Sequence, residues 1–174
     1  MSSQIKYSLA LRLMHWAMAL LLLSMLAAGL TMVQSLATWQ LPLLKLHKSF
    51  GLLALILVVL RVVIKFKDQT PDQNTHIPQI QKWGLKTVHG LMYVCMLGIP
   101  LSGLSSQFFA SRPVSFFGIF TVPVSEQVDI VMYALFRESH SILAGLLITL
   151  IVMHILGVLY HYFIMKENIV KRMM

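Results

Sequence analysis

Charged residues cut this chain into long apolar blocks, with none between Arg12 and Lys45, between Lys86 and Arg112, or between Glu138 and Lys166. The charge-free runs 13–44, 87–109 and 139–165 each reach the roughly 20 mostly apolar residues that a membrane-spanning helix needs. A fourth candidate, near 47–65, has a shorter charge-free centre, 49–60, flanked by Lys48 and Arg61. Long basic side chains can snorkel to opposite interfaces, so this segment also qualifies. The pattern predicts helices at about 9–33, 47–66, 87–109 and 139–165, in an all-α four-helix transmembrane bundle. With short connections and no internal repeat or low-complexity tract, residues 1–174 read as one domain. The segment 113–133, with Phe116, Phe117 and Phe120, reads as a lid on the surface.

Composition agrees: 57% of residues are hydrophobic and 11% are charged. The fourteen Lys and Arg give a formal net charge of +8, which raises nucleic-acid binding as an option. Their placement favours membrane orientation and anionic lipid instead. With both termini inside, Lys6, Arg12, Arg61, Lys65, Lys67, Lys82, Lys86, Lys166, Lys171 and Arg172 are cytoplasmic. Lys45, Lys48, Arg112 and Arg137 are outside, and ten against four predicts an N-in, C-in arrangement. The first apolar run exceeds a typical signal-peptide core and no clear small-x-small cleavage site follows, so it reads as a retained helix. Cys95 is the single cysteine, so no internal disulfide, iron–sulfur cluster or C-x-x-C-H haem attachment is available.

Histidine within a spanning helix needs a partner or a task. His140 and His154 lie fourteen residues apart, a spacing that advances a helix by roughly 21 Å and returns to within about 40° of the same face. In the expected topology His15 and His154 share the inner depth, and His47 and His140 the outer. Histidines so far apart along one helix cannot share one zinc or copper ion, and two sites of two imidazoles each would lack further ligands. Two haems, each clamped between a pair, fit the arrangement. With both axial positions filled, a haem transfers electrons rather than binding oxygen. Small residues follow the histidines at helical spacing, namely Ala19, Gly51, Ala144 and Gly157, and suit either haem contact or close helix packing.

The set Arg12-Leu-Met-His15-Trp16, Leu46-His47-Lys48-Ser49-Phe50-Gly51 with Arg61, His89-x-x-x-Tyr93 with Pro100 and Gly103, then His140, His154 and His161-Tyr162-Phe163, occurs in order along nearly the whole chain. It resembles the bacterial cytochrome b561 family of four-helix di-haem membrane proteins. The resemblance implies two stacked haem b groups with His15, His47, His140 and His154 as axial metal ligands. It also implies electron transfer across the bacterial inner membrane between a periplasmic donor and the quinone pool. Short stand-alone members look like superoxide oxidase, which oxidises superoxide outside and reduces ubiquinone. That suggests an oxidoreductase with quinone, superoxide and lipid as partners, no nucleic acid, and room for a homo-oligomer. The alternative is a cytochrome b subunit that anchors a periplasmic dehydrogenase such as a hydrogenase. Tyr162 stands where the family often has a second successive histidine.

His161 faces nearly the same way as His154, so it is a candidate quinone hydrogen-bond partner or an interface anchor. His89 could serve the same quinone site, bond a haem propionate or pack between helices. Pro100 and Gly103 read as loosening the end of helix 3, without chemistry. Lys48 and Arg137, with Lys45, surround the outer pair, where they can neutralise propionates or steer an anion such as superoxide.

Overall fold

The computed structural model describes residues 7–34, 37–67, 79–166 and 171. Lys6 and Arg172, counted above as cytoplasmic charges, lie outside these. Four long helices, α1 Leu9–Val33, α2 Gln40–Lys67, α3 Gln79–Phe109 and α4 Ile130–Phe163, run in succession, and each is long and apolar enough to cross a membrane. Exposed Leu, Ile, Val and Phe cover much of the outside, as expected where lipid rather than water is the solvent. This is an all-helical architecture consistent with a transmembrane bundle, supplemented by one small hairpin, β1 Val114–Phe116 and β2 Phe120–Val122.

The first helix, Leu9–Val33, starts before the charge-free run and ends well before that run does, as the run continues into α2, and the other three begin earlier than expected. α2 starts at residue 40 rather than 47, α3 at 79 rather than 87, and α4 at 130 rather than 139. A charge ends a hydrophobic run but not a helix: Lys45, Lys48, Lys82 and Arg137 all lie within helical turns that continue past the apolar stretch. Local chemistry sets the real starts. Ser8 caps α1 by accepting from the Leu11 amide at 3.4 Å, and Asp129 caps α4 by accepting from Met132 at 3.0 Å. Pro42 sits in the first turn of α2, where its missing N–H has no helical partner to lose. Gln40 donates to the Thr31 carbonyl at 3.2 Å, tying that start to the end of α1.

Neighbouring helices pack in chain order, α1 on α2, α2 on α3 and α3 on α4. Among the described residues α4 makes at most a marginal backbone approach to α1 and α2. A buried core of Met18, Val58, Cys95, Met96, Leu147 and Leu150 draws on all four helices. Leu147 lies midway along α4 between His140 and His154, so this core divides the bundle into two ends. One carries the chain termini; the other carries the hairpin.

The hairpin is antiparallel, with Val114 opposite Val122 and Phe116 opposite Phe120. Its three-residue turn has Phe117 at φ 49 and Gly118 at φ 78. Glycine accepts that region freely, whereas a bulky aromatic is strained there. The Ser49 hydroxyl of α2 stabilises the turn, donating to the Ser115 carbonyl at 2.8 Å and accepting from the Phe117 amide at 3.3 Å. Phe117 in turn lies edge-on to Phe50 with ring centres 5.0 Å apart. The surface lid expected at 113–133 is therefore a pinned hairpin followed by the first turn of α4.

Candidate functional site: two histidine pairs in the bundle

At the hairpin end, α2 and α4 bring the rings of His47 and His140 to a centroid distance of 6.3 Å. At the termini end, α1 and α4 bring His15 and His154 to 6.5 Å. These meetings occur across the very flank where the backbone of α4 stands away from α1 and α2. Two imidazoles coordinating one iron from opposite porphyrin faces place their ring centres about 6 Å apart. That follows from a metal–nitrogen bond of about 2 Å and about 1 Å from nitrogen to ring centre on each side. Both pairs therefore have the spacing of a porphyrin clamp. Among the described residues no group of three or more His, Cys, Asp or Glu is arranged to hold a bare metal ion. A porphyrin brings its own four nitrogens, so a pair suffices.

The hairpin-end pair is oriented by backbone. His140 Nδ1 lies 2.8 Å from the Ile99 carbonyl of α3; a carbonyl only accepts, so Nδ1 carries the proton and Nε2 keeps its lone pair for a metal. Gly103 makes room for that ring. A Cβ there would lie 3.1 Å from His140 Nδ1 and 3.2 Å from Cε1. The reading of Gly103 as a mere loosening of helix 3 is thus replaced: its missing side chain is where an imidazole fits. Gly29 faces His47 in a looser way, with a Cβ meeting Cε1 at 3.9 Å. Among the described residues His47 Nδ1 is buried without a hydrogen-bond partner, a rare state for such an atom. Of the small residues singled out by spacing, Gly157 faces open space and Gly51 meets only Met25 at 3.8 Å.

The termini-end pair is polar and cationic instead. Arg61, expected at the helix end as an interface charge, lies six residues before the end of α2 and is half-buried. Its guanidinium donates to His15 Nδ1 at 3.1 Å and to the Tyr93 hydroxyl at 3.1 Å. Lys65 Nζ stands 4.7 Å from the centre of the Tyr93 ring. His89 joins the pair, its ring 5.1 Å from that of His154. Its Nδ1 donates to the Leu85 carbonyl one turn back at 2.7 Å. His161 is 6% exposed, more enclosed than an interface anchor, with its ring beside Tyr160 at 5.9 Å.

Of the cations expected around the hairpin-end pair, Lys45, Lys48 and Arg137, the last two lie near a further one, Arg112. Arg137 donates to the Tyr133 hydroxyl at 2.7 Å, and Arg112 lies over the same ring at 5.6 Å. Lys48 follows His47 and lies close enough to Arg112 for their charges to repel. None of the three has a carboxylate partner among the described residues. Sequence reasoning passed over Arg112 and Tyr133 because their approach depends on the path of the hairpin.

Four lipid-length helices with paired imidazoles at two depths define a class: multi-pass membrane proteins suited to non-covalent porphyrin and electron transfer. The sequence pattern of the prokaryotic cytochrome b561 family matches residues 6–174, and the chain belongs to that family. The family consists of bacterial membrane electron-transfer proteins with b-type haem. Cytochrome b561 homolog 2 of Escherichia coli K12 is 30% identical over 172 residues, covering 97% of this chain and 91% of its own length. Cytochrome b561 homolog 1 of the same organism is 28% identical, over 74% and 72%. The protein called "Probable superoxide oxidase CybB" of Yersinia pestis is 27% identical, over 74% of this chain and 73% of its own.

Proposed function

We propose that this protein carries single electrons from the hairpin end to the termini end of the bundle, oxidising superoxide outside the inner membrane and reducing ubiquinone at the cytoplasmic side. The observation that carries this reading is the repeated ring separation, 6.3 Å and 6.5 Å, at two depths along α4. In balance, two superoxide anions each lose one electron to give two molecules of oxygen, and ubiquinone gains two electrons and two protons. When bound, a haem b between each pair would supply a one-electron redox centre.

The chain's own residues divide the work. His47 and His140 hold the hairpin-end group, His15 and His154 the termini-end group. Lys48, Arg112 and Arg137 draw an anion toward the first. At the other end His161 and His89 would hydrogen-bond a quinone carbonyl and pass protons to it. Ten of fourteen basic residues on the side of the termini support the N-in, C-in orientation. The likeness to the Yersinia relative supports superoxide as donor.

Pyridine haemochrome analysis of the purified protein should return two haems per chain; a content near zero would remove the reading altogether. Stopped-flow mixing with a superoxide pulse and ubiquinone should then reduce the haems faster than superoxide disproportionates. Slow reduction together with co-purification of a periplasmic dehydrogenase would assign the protein as that enzyme's membrane anchor instead.

A further inference from the structure

We propose that Arg61 is the counter-charge for a carboxylate of the bound porphyrin, one propionate of the haem seated between His15 and His154. The inference rests on the reading that this pair holds haem. It begins with an uncompensated charge. Arg61 lies six residues inside the end of α2, about 9 Å along the helix axis, and is half-buried. An intramembrane guanidinium of this kind requires a partner or a function. Among the described residues its contacts are all neutral: the Tyr93 hydroxyl, His15 Nδ1 and, at 4.0 Å, the Met18 sulfur. Lys65, over the Tyr93 ring, adds a second positive charge.

The helices hold almost nothing to balance it. α1, α2 and α3 contain no Asp or Glu, and the single carboxylate of α4 is Glu138. Glu138 belongs to the opposite end, sixteen residues from His154. The missing anion is therefore expected with the ligand, and a haem b brings two propionates at its edge. Arg61 already touches one of the two residues that would flank that ligand.

A second argument concerns protons. Arg61 can only donate, so its present bond uses the lone pair of His15 Nδ1. A neutral imidazole that offers Nε2 to iron carries its proton on Nδ1 and has no lone pair left there. Ligation by His15 and acceptance from Arg61 compete. A propionate resolves the competition by taking the guanidinium, which leaves Nδ1–H free to be a donor.

The test is a potentiometric titration of the purified holoprotein with Arg61→Gln and Arg61→Lys. In Arg61→Gln the oxidation equilibrium of one haem should shift about tenfold toward the ferric state, a 59 mV fall for one electron, or that haem alone should be lost. The other haem should stay unchanged, and Arg61→Lys should restore most of the difference. The resonance Raman propionate-bending band should move between wild type and Arg61→Lys, a readout available even if the glutamine variant fails to accumulate. The proposal is overturned if both haems titrate as in the wild type in Arg61→Gln. It is also overturned if Asp68→Asn, Asp72→Asn or Glu167→Gln reproduces the shift, or if wild-type potentials follow added anionic lipid, which would make lipid phosphate the partner. A wild-type protein without haem would instead remove the function on which the inference rests.

Discussion

The two histidine pairs share a spacing but not an environment. At the hairpin end His140 is held by the Ile99 carbonyl and seated against Gly103, and Ser49 pins the hairpin to α2 two residues after His47. At the termini end His15 is held by a guanidinium and His154 is met by a third imidazole. One site is organised by neutral backbone, the other by a positive charge and exchangeable hydrogen-bonding groups. The difference teaches that one imidazole spacing can be built from two environments, and on the proposed reading the first would meet the small anionic donor and the second the quinone.

The comparison breaks most decisively at the imidazoles. Replacing His47 or His140 by Ala should lower haem content from two to one per chain and leave one spectral component. Replacing His15 or His154 should remove the other component, as read by pyridine haemochrome and low-temperature absorption. If either class of variant removed both haems, the two sites would not be separable.

A smaller but more selective effect is expected at Gly103. An added methyl at 3.1 Å from His140 overpacks the site by about 1–3 kcal/mol. Gly103→Ala should weaken or shift only the hairpin-end haem, and an unchanged redox titration would dismiss the role of this close approach.

Charge comes next. Lys48→Gln with Arg137→Gln should slow reduction by superoxide several-fold at low salt and flatten its salt dependence, with quinone turnover from a chemical reductant preserved. Rates that do not change would reject steering by these residues. The mildest change is Ser49→Ala, which removes two bonds to the hairpin at a cost of about 1–2 kcal/mol. Faster amide exchange at Phe117, with both haems retained, is the expected signature.

Much of this was legible from the chain because its strongest signals are long-range in one dimension. Four apolar blocks suffice to count helices, and fourteen residues between His140 and His154 suffice to place two imidazoles on one face at two depths. The unread parts depend on contacts between elements. Helix starts were missed because charge marks the edge of the hydrocarbon, whereas capping by Asp129 marks the start of a helix. The hairpin does carry a local signal, since Val114-Ser-Phe116 and Phe120-Thr-Val122 flank Gly118 with strand-forming residues, but three residues per strand fall below the eye's threshold. In the sequence Arg61 marks only a helix boundary, because nothing there shows that Tyr93 and His15 converge on it. Gly103 was read as slack because its neighbour, His140, belongs to another helix.

α4 contributes a ligand to each proposed site, and this couples how the two are loaded. Turning α4 about its axis would swing His140 and His154 the same way, so one rotation is correct for both. The first porphyrin captured, at either end, fixes that rotation and removes the orientational entropy the second would otherwise have to overcome. Haem incorporation should therefore be positively cooperative, with single-haem chains scarce during limited haem supply although each pair can be emptied by mutation.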